Sequence, residues 1–194
     1  ERLFEVYSIP SGEVKGTYKL PADSAVSYHT GAFSPDNKVL ALGTEDQLEL
    51  WDATSLKSPK STYPDLRFYS PDLLTFSNDG AHLAGCTNDG HLVVVETASG
   101  KEYRVEKAHE DIIRSVRFSP DGKRLASVSD DRTLRLWSVP ELRPIRTFRG
   151  HDNSVYTVGF SGDGLRVATS SPQDSITKVW DLSADLEFAP SEIP

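Results

Sequence analysis

Residues 109–137, HEDIIRSVRFSPDGKRLASVSDDRTLRLW, decide the fold. Ile113, Val116 and Phe118 form a β-branched and aromatic run, which reads as a strand. Ser119-Pro120-Asp121-Gly122 then supplies a turn, in which Pro presets φ and Gly relieves strain at the end. Leu125–Ser129 reads as a second strand, Asp130-Asp131-Arg132 as a tighter turn and Thr133–Trp137 as an alternating third strand. One meander of this kind cannot bury both of its faces, so it requires neighbours of the same kind.

The sequence supplies them. Phe33, Phe76, Phe118 and Phe160 each open an FS-x-D turn, at separations of 43, 42 and 42 residues. A second ruler, the residue closing each third strand, is Tyr7, Trp51, Val95, Trp137 and Trp180, spaced by 44, 44, 42 and 43. Two rulers agree, and a period of this length points to four-stranded propeller blades.

On these residues the chain resembles the WD-repeat (WD40) β-propeller family. Gly150-His151 precedes one unit, Trp51-Asp52 and Trp180-Asp181 close two others, and the turns recur between them. The resemblance covers roughly Leu3 to Asp181 and is sharpest in the last two repeats. The first full repeat lacks the family's His and Ser, and the second ends Val95-Glu96 in place of Trp-Asp, so both read as degenerate. The expected fold is all-β: four-stranded antiparallel WD40 blades, about four and a half of them, in an incomplete ring.

The landmarks divide the chain into a partial blade over 1–21, blades over about 22–64, 65–107, 108–149 and 150–188, and a tail over 189–194. Leu3–Ile9 aligns with a third strand and Val14–Leu20 with an outer fourth strand, so the chain enters in mid-blade. Leu186–Phe188 is expected as a short last strand. The family's rings commonly close with seven or so blades, so the remaining blades or domains of the same protein count among the expected partners. The chain contains no methionine and reads as a piece excised from something longer.

Composition narrows the function classes. A formal charge of −8 disfavours a phosphate-tracking surface, so nucleic acid is not an expected partner. Cys86 is the single cysteine, which gives no disulfide framework and fits an intracellular setting, cytoplasmic or nuclear. No apolar run reaches membrane-spanning length, and no membrane role is expected.

His109, Ser127 and Asp131 are the residue types of a nucleophilic triad. The trio returns with Thr in place of Ser as His151, Thr169 and Asp174, and each set is followed by a Trp, Trp137 or Trp180. An active site is normally built once, whereas this set occurs once per blade. The expected role is structural: a buried hydrogen-bonded tetrad, with no catalytic residues. The Asn-Asp-Gly turns at 78–80 and 88–90 and the Ser-Gly-Asp-Gly turn at 161–164 lack the ligand spacing of calcium loops. The five histidines lack zinc spacing, and no metal or cofactor is expected. Arg143, Arg146 and Arg149 lie on or near an outer strand and read as keeping it solvated.

The reading is therefore a non-catalytic platform for protein partners, a scaffold or adaptor. The alternative is a regulatory propeller gating a larger enzyme or effector. The resemblance places the partner surface on a rim, flanking the inward residue of each first strand and just before each tetrad Asp. Those positions are Ser27, His29, Ser70, Asp72, Ile112, Arg114, Ser154 and Tyr156, with Glu45, Asn88, Asp130 and Gln173 before the turn aspartates. Tyr156 and Arg114 are expected to carry most of the binding energy, so that Tyr156→Ala and Arg114→Glu each weaken partner binding without lowering stability.

Overall fold

The computed structural model describes residues 3–7, 13–19, 28–44, 46–55, 57–67, 73–87 and 90–183. The chain forms two compact units, Glu1–Pro71 and Asp72–Pro194. In the first unit, β1 (Leu3–Tyr7) pairs with β2 (Val14–Lys19). It also holds a sheet of β3 (Tyr28–Phe33), β4 (Val39–Thr44), β5 (Leu48–Asp52) and β6 (Pro59–Tyr63), in that spatial order.

The second unit stacks three sheets. Its first sheet runs β7 (Leu74–Phe76), β8 (His82–Cys86), β9 (Leu92–Glu96) and β10 (Glu102–Val105). The next comprises β11 (Ile113–Phe118), β12 (Arg124–Ser129), β13 (Thr133–Ser138) and β14 (Pro144–Arg149). The last has β15 (Thr157–Phe160), β16 (Arg166–Ser171) and β17 (Ile176–Asp181). All pairings are antiparallel between consecutive strands, so each sheet is a meander.

Both sequence rulers land where expected. The four Phe landmarks close β3, β7, β11 and β15, and the second ruler falls on β1, β5, β9, β13 and β17. The sheets have the antiparallel meander expected of propeller blades. The expected ends of the first two strands, at Ile9 and Leu20, lie outside the described residues. The expected strand at Leu186–Phe188 and the tail lie outside the described residues.

The FS-x-D turns explain why the repeat is legible. In each, a serine hydroxyl donates to the aspartate two residues on: Ser34 to Asp36 at 2.7 Å, and Ser77 to Asp79, Ser119 to Asp121 and Ser161 to Asp163 at 2.5 Å. The same hydroxyl oxygen accepts the backbone N–H five residues on, at Val39, His82, Arg124 and Arg166, where the second strand begins. The aspartate accepts the N–H of Lys38, Ala81, Lys123 or Leu165. The next position needs a left-handed backbone, and Gly80, Gly122 and Gly164 have φ of 71°, 70° and 70° while Asn37 has 59°. These carboxylates are occupied by their own turns, as the turn reading of Asp79 and Asp163 requires. The Ser34 hydroxyl, the Lys38 N–H and the Lys38 ammonium hold Asp36 down at about 2.

Stacking in the second unit follows from alternation. Leu134 and Leu136 of β13 project to the same side as Ala126, Val128 and Phe148. They pack on Val155, Val158, Val167 and Leu182 of the last blade, with Phe160 and Trp180 at the margin. Burying each such Leu or Val contributes about 1.5–3 kcal/mol, so this seam is the main cohesion between the two blades. The far side of the last sheet is different. Val179 takes the place of Leu136 opposite an alanine, yet is 64% exposed where Leu136 is 1% exposed. A shallow groove of about 290 Å³ there is lined by Gly159, Phe160, Ser161, Arg166, Ala168 and Val179.

Candidate functional site

The two tetrads form as buried chains. The Trp137 indole N–H donates to Ser127 Oγ at 2.8 Å, and Ser127 Oγ lies 2.7 Å from His109 Nε2. His109 Nδ1 lies 3.0 Å from Asp131 Oδ2. Trp180, Thr169, His151 and Asp174 repeat this with steps of 2.8, 2.9 and 3.0 Å. One proton assignment satisfies every step. The indole N–H donates to the hydroxyl oxygen, the hydroxyl donates to Nε2 of a neutral histidine, and Nδ1–H donates to the carboxylate.

Each aspartate also fixes the loop that carries its histidine. Asp131 accepts the Glu110 N–H at 3.1 Å, and Asp174 accepts the Asp152 N–H at 3.0 Å and the Asn153 amide at 2.7 Å. Burial opposes the charge of Asp131, but hydrogen bonds from His109, Thr133 and the Glu110 N–H outweigh it and hold the carboxyl well below its usual range. Burial likewise opposes Asp174, while Asn153, His151 and the loop N–H groups pull it down to about 2.

The distances from hydroxyl to imidazole to carboxylate match those of a nucleophilic triad, but the setting does not. Ser127 and Thr169 are 0% and 1% exposed, and each oxygen already receives an indole N–H. An attacking oxygen needs an open approach for a carbonyl, and neither hydroxyl has one. The arrangement ties loop to strand.

The degenerate repeats solve the same problem in other ways. In the first full blade the Trp51 indole N–H donates to Glu49 Oε2 at 2.9 Å on the same strand. The Gln47 amide holds the other oxygen of Glu49 at 2.6 Å. Glu49 is buried at 6% exposure, and sequence reasoning missed it. The available signal was a lone Glu two residues before the Trp, where alternation puts both side chains on one face. In the next blade Gly85 and Val95 replace the hydroxyl and the indole, and apolar packing of Leu83, Ala84 and Val93–Val95 takes over.

The expected rim residues of the last two blades are brought together. Arg114 grips Asp130 with two hydrogen bonds, from Nε at 2.9 Å and from Nη2. Its guanidinium lies over the Tyr156 ring, 5.1 Å from the centroid, and Gln173 donates to the Tyr156 hydroxyl at 3.1 Å. Ser154 lies close enough to Asp130 to help hold its carboxyl down. The Arg114 bond comes first in holding Asp130 below its usual range, and the same bond raises Arg114. Ile112 stands beside this network, 57% exposed, with its carbonyl accepting the Asp130 N–H.

One expectation needs correction. Arg114 is not a free cation, because Asp130, with a side chain only 13% exposed, returns its charge. Arg114→Glu would set two carboxylates against each other, so it cannot leave stability unchanged. Of the remaining rim positions, Ser27, Glu45, Ser70, Asp72 and Asn88 lie outside the described residues. His29 lies on β3, but its side chain is not described. On the outer strand, Arg146 and Arg149 are exposed on β14 and Arg143 just precedes it. Arg146 lies over the Phe148 ring at 4.9 Å.

Residues 100–138 and 142–181 match the family model of the WD domain, G-beta repeat. Each matched span begins two residues before the outer strand of one sheet, β10 or β14, and ends on the third strand of the next. The family's repeat is therefore staggered against the blade, and every matched repeat joins two blades covalently. No curated protein matches the chain. WD40 repeats generally serve as scaffolds for protein interaction, and WD40 propeller domains are typically non-catalytic. The matched spans end on the two blades that carry complete tetrads: residues 100–138 and 142–181 are WD40 repeats, and the same meander recurs before them.

Proposed function

We propose that the chain is a non-catalytic adaptor whose partner surface is the rim of its last two described blades. Ile112, Arg114, Asp130, Ser154, Tyr156 and Gln173 make up that surface. The observation that carries the reading is the contact network among them. Five side chains from two blades, chosen on separate grounds of alternation and position, meet in one connected patch.

The patch suits a folded or extended protein segment. Arg114 is held flat by Asp130 and Tyr156, so little rotamer entropy is left to lose on binding. The exposed Ile112 offers apolar contact beside it. Charge pairing within the patch removes the bare cation that a phosphate group would seek. The cytoplasmic or nuclear setting expected from the cysteine count belongs to the same proposal.

A photo-crosslinking side chain placed at Ile112 and, separately, at Arg146 tests it in cell extract. Crosslinks from position 112 to a defined protein are expected, with none from position 146. Titration of the captured partner should then show Tyr156→Ala weakening binding by at least about 1–2 kcal/mol, roughly tenfold. Capture from the outer strand alone, with Tyr156→Ala binding normally, would overturn the rim assignment.

A further inference from the structure

The rim network is strung between the two tetrads. At one end Asp130, which grips Arg114, is followed directly by Asp131, the tetrad acid of the penultimate blade. At the other end Gln173, which holds the Tyr156 hydroxyl, is followed directly by Asp174, the tetrad acid of the last blade. The middle of the chain is the Arg114 guanidinium on the Tyr156 ring, a side-chain step that crosses between the blades.

The loops are fastened in the same pattern. Asp131 holds the Glu110 N–H at the base of the loop that presents Ile112. Asp174 holds Asp152 and Asn153, in the loop that presents Ser154 and Tyr156. Backbone bonds close the frame: Asp130 N–H to the Ile112 carbonyl, Val155 N–H to the Ser129 carbonyl and Tyr156 N–H to the Ser170 carbonyl. No rim side chain in the network is more than one peptide bond or one hydrogen-bonded loop away from a buried tetrad acid.

We infer that the tetrads are positioning elements for the rim: each sets the aim of its half of the Arg114–Tyr156 contact, so a change buried in one blade is read out at the surface of both. The inference rests on the rim being the partner surface for its biological meaning, but the mechanical coupling stands on geometry alone. A hydrogen bond weakens steeply with misalignment, and the guanidinium is anchored on one blade while the ring belongs to the other. Loss of the Trp180–Thr169–His151 chain frees Asp174 and its loop to shift, and Tyr156 shifts with them. Arg114 then keeps Asp130 but loses the ring beneath it. Thr169, Trp180 and His151 therefore act through Asp174 and Gln173 without touching a partner themselves.

The test reads the Arg114 side chain with no partner present. In ¹⁵N-labelled chain, the Arg114 Nε–H resonance reports both its bond to Asp130 and the ring current of Tyr156. Thr169→Val, which removes the hydroxyl at constant shape, should move that resonance and speed its exchange with water by about tenfold. Thr169→Ser should restore it. In a Gln173→Ala background the same Thr169→Val change should have a smaller effect, because the Gln173 step from tetrad to ring is already cut and only the Asp152–Asn153 loop still carries it. If Thr169→Val does not fold, Trp180→Phe, which loses the indole N–H, takes its place in the same cycle. An unmoved Arg114 resonance in the folded tetrad variant overturns the inference, and so does an equal shift with and without Gln173, which would indicate general loosening. Because the resonance is read without a partner, either failure leaves the rim proposal standing. Failure of the crosslinking leaves the coupling standing.

Discussion

Asp130 and Asp131 are consecutive in the chain and serve different parts of the molecule. Asp130 closes a two-point bond on Arg114 at the rim, while Asp131 receives the His109 imidazole in the interior. A tight turn makes this possible: Arg132 follows with a φ of 69°, and the chain reverses within the pair's own neighbourhood. Surface and core are thereby joined by one peptide bond, which makes mutations on either side informative about the other.

Removing the tetrad hydroxyl tests the buried chain. Ser127→Ala should destabilise the second unit by about 2–3 kcal/mol, since it leaves the Trp137 N–H and the His109 ring nitrogen without their shared partner. Trp180→Phe should cost less, about 1–2 kcal/mol, because one donor leaves with its bond. Urea titrations of the two variants check this order. A Ser127→Ala chain as stable as the parent would mean that the hydrogen bonds contribute nothing net.

The repeated turn is a second test. Ser119 is buried and its hydroxyl serves Asp121 and the Arg124 N–H together, so Ser119→Ala should cost about 1–2 kcal/mol. Ser161→Ala should cost less, because its turn is solvent-exposed and water can replace the hydroxyl. Equal losses in thermal melts would count against burial as the reason.

Acid sensitivity follows from the aspartates. Asp36 and Asp174 both titrate near 2 in the folded chain against an ordinary value of 3.8. A depressed folded value means stability that is fully present above the unfolded value and is lost as pH falls through the folded one. Urea midpoints should therefore hold steady down to about pH 5 and fall progressively between about pH 4 and 2. Asp174→Asn should make that fall shallower. An unchanged slope in this variant would show that other carboxylates carry the acid response.

Charge reversal at the rim is predicted to act on the fold as well as on binding. Arg114→Glu should lower stability by about 1 kcal/mol at low salt, less at high salt, because the pair is partly exposed and screened. Arg114→Gln should be milder, as the amide still donates to Asp130. Thermal melts at two ionic strengths separate the two. A salt-independent loss would point to packing on Tyr156 and not to charge.

What the sequence by itself determined is the part governed by local chemistry and period. The FS-x-D turns, the strand alternation and the spacing of Trp51, Trp137 and Trp180 define the meanders, because turn residues and pleat act within a few residues of each other. The tetrads were legible for the same reason of recurrence, at matching positions in the last two blades. The tertiary structure decided what depends on neighbours distant in sequence. That Arg114 meets Tyr156, 42 residues on, follows from the stacking of two blades along the Leu134, Leu136, Val155 and Val158 seam. That the Trp51 indole finds Glu49 depends on a carboxylate being buried: alternation puts the two side chains on one face but does not give the depth of that face. Period and turn chemistry are properties of a stretch of chain; burial and charge pairing belong to the space between stretches, and they exist only once the blades have stacked.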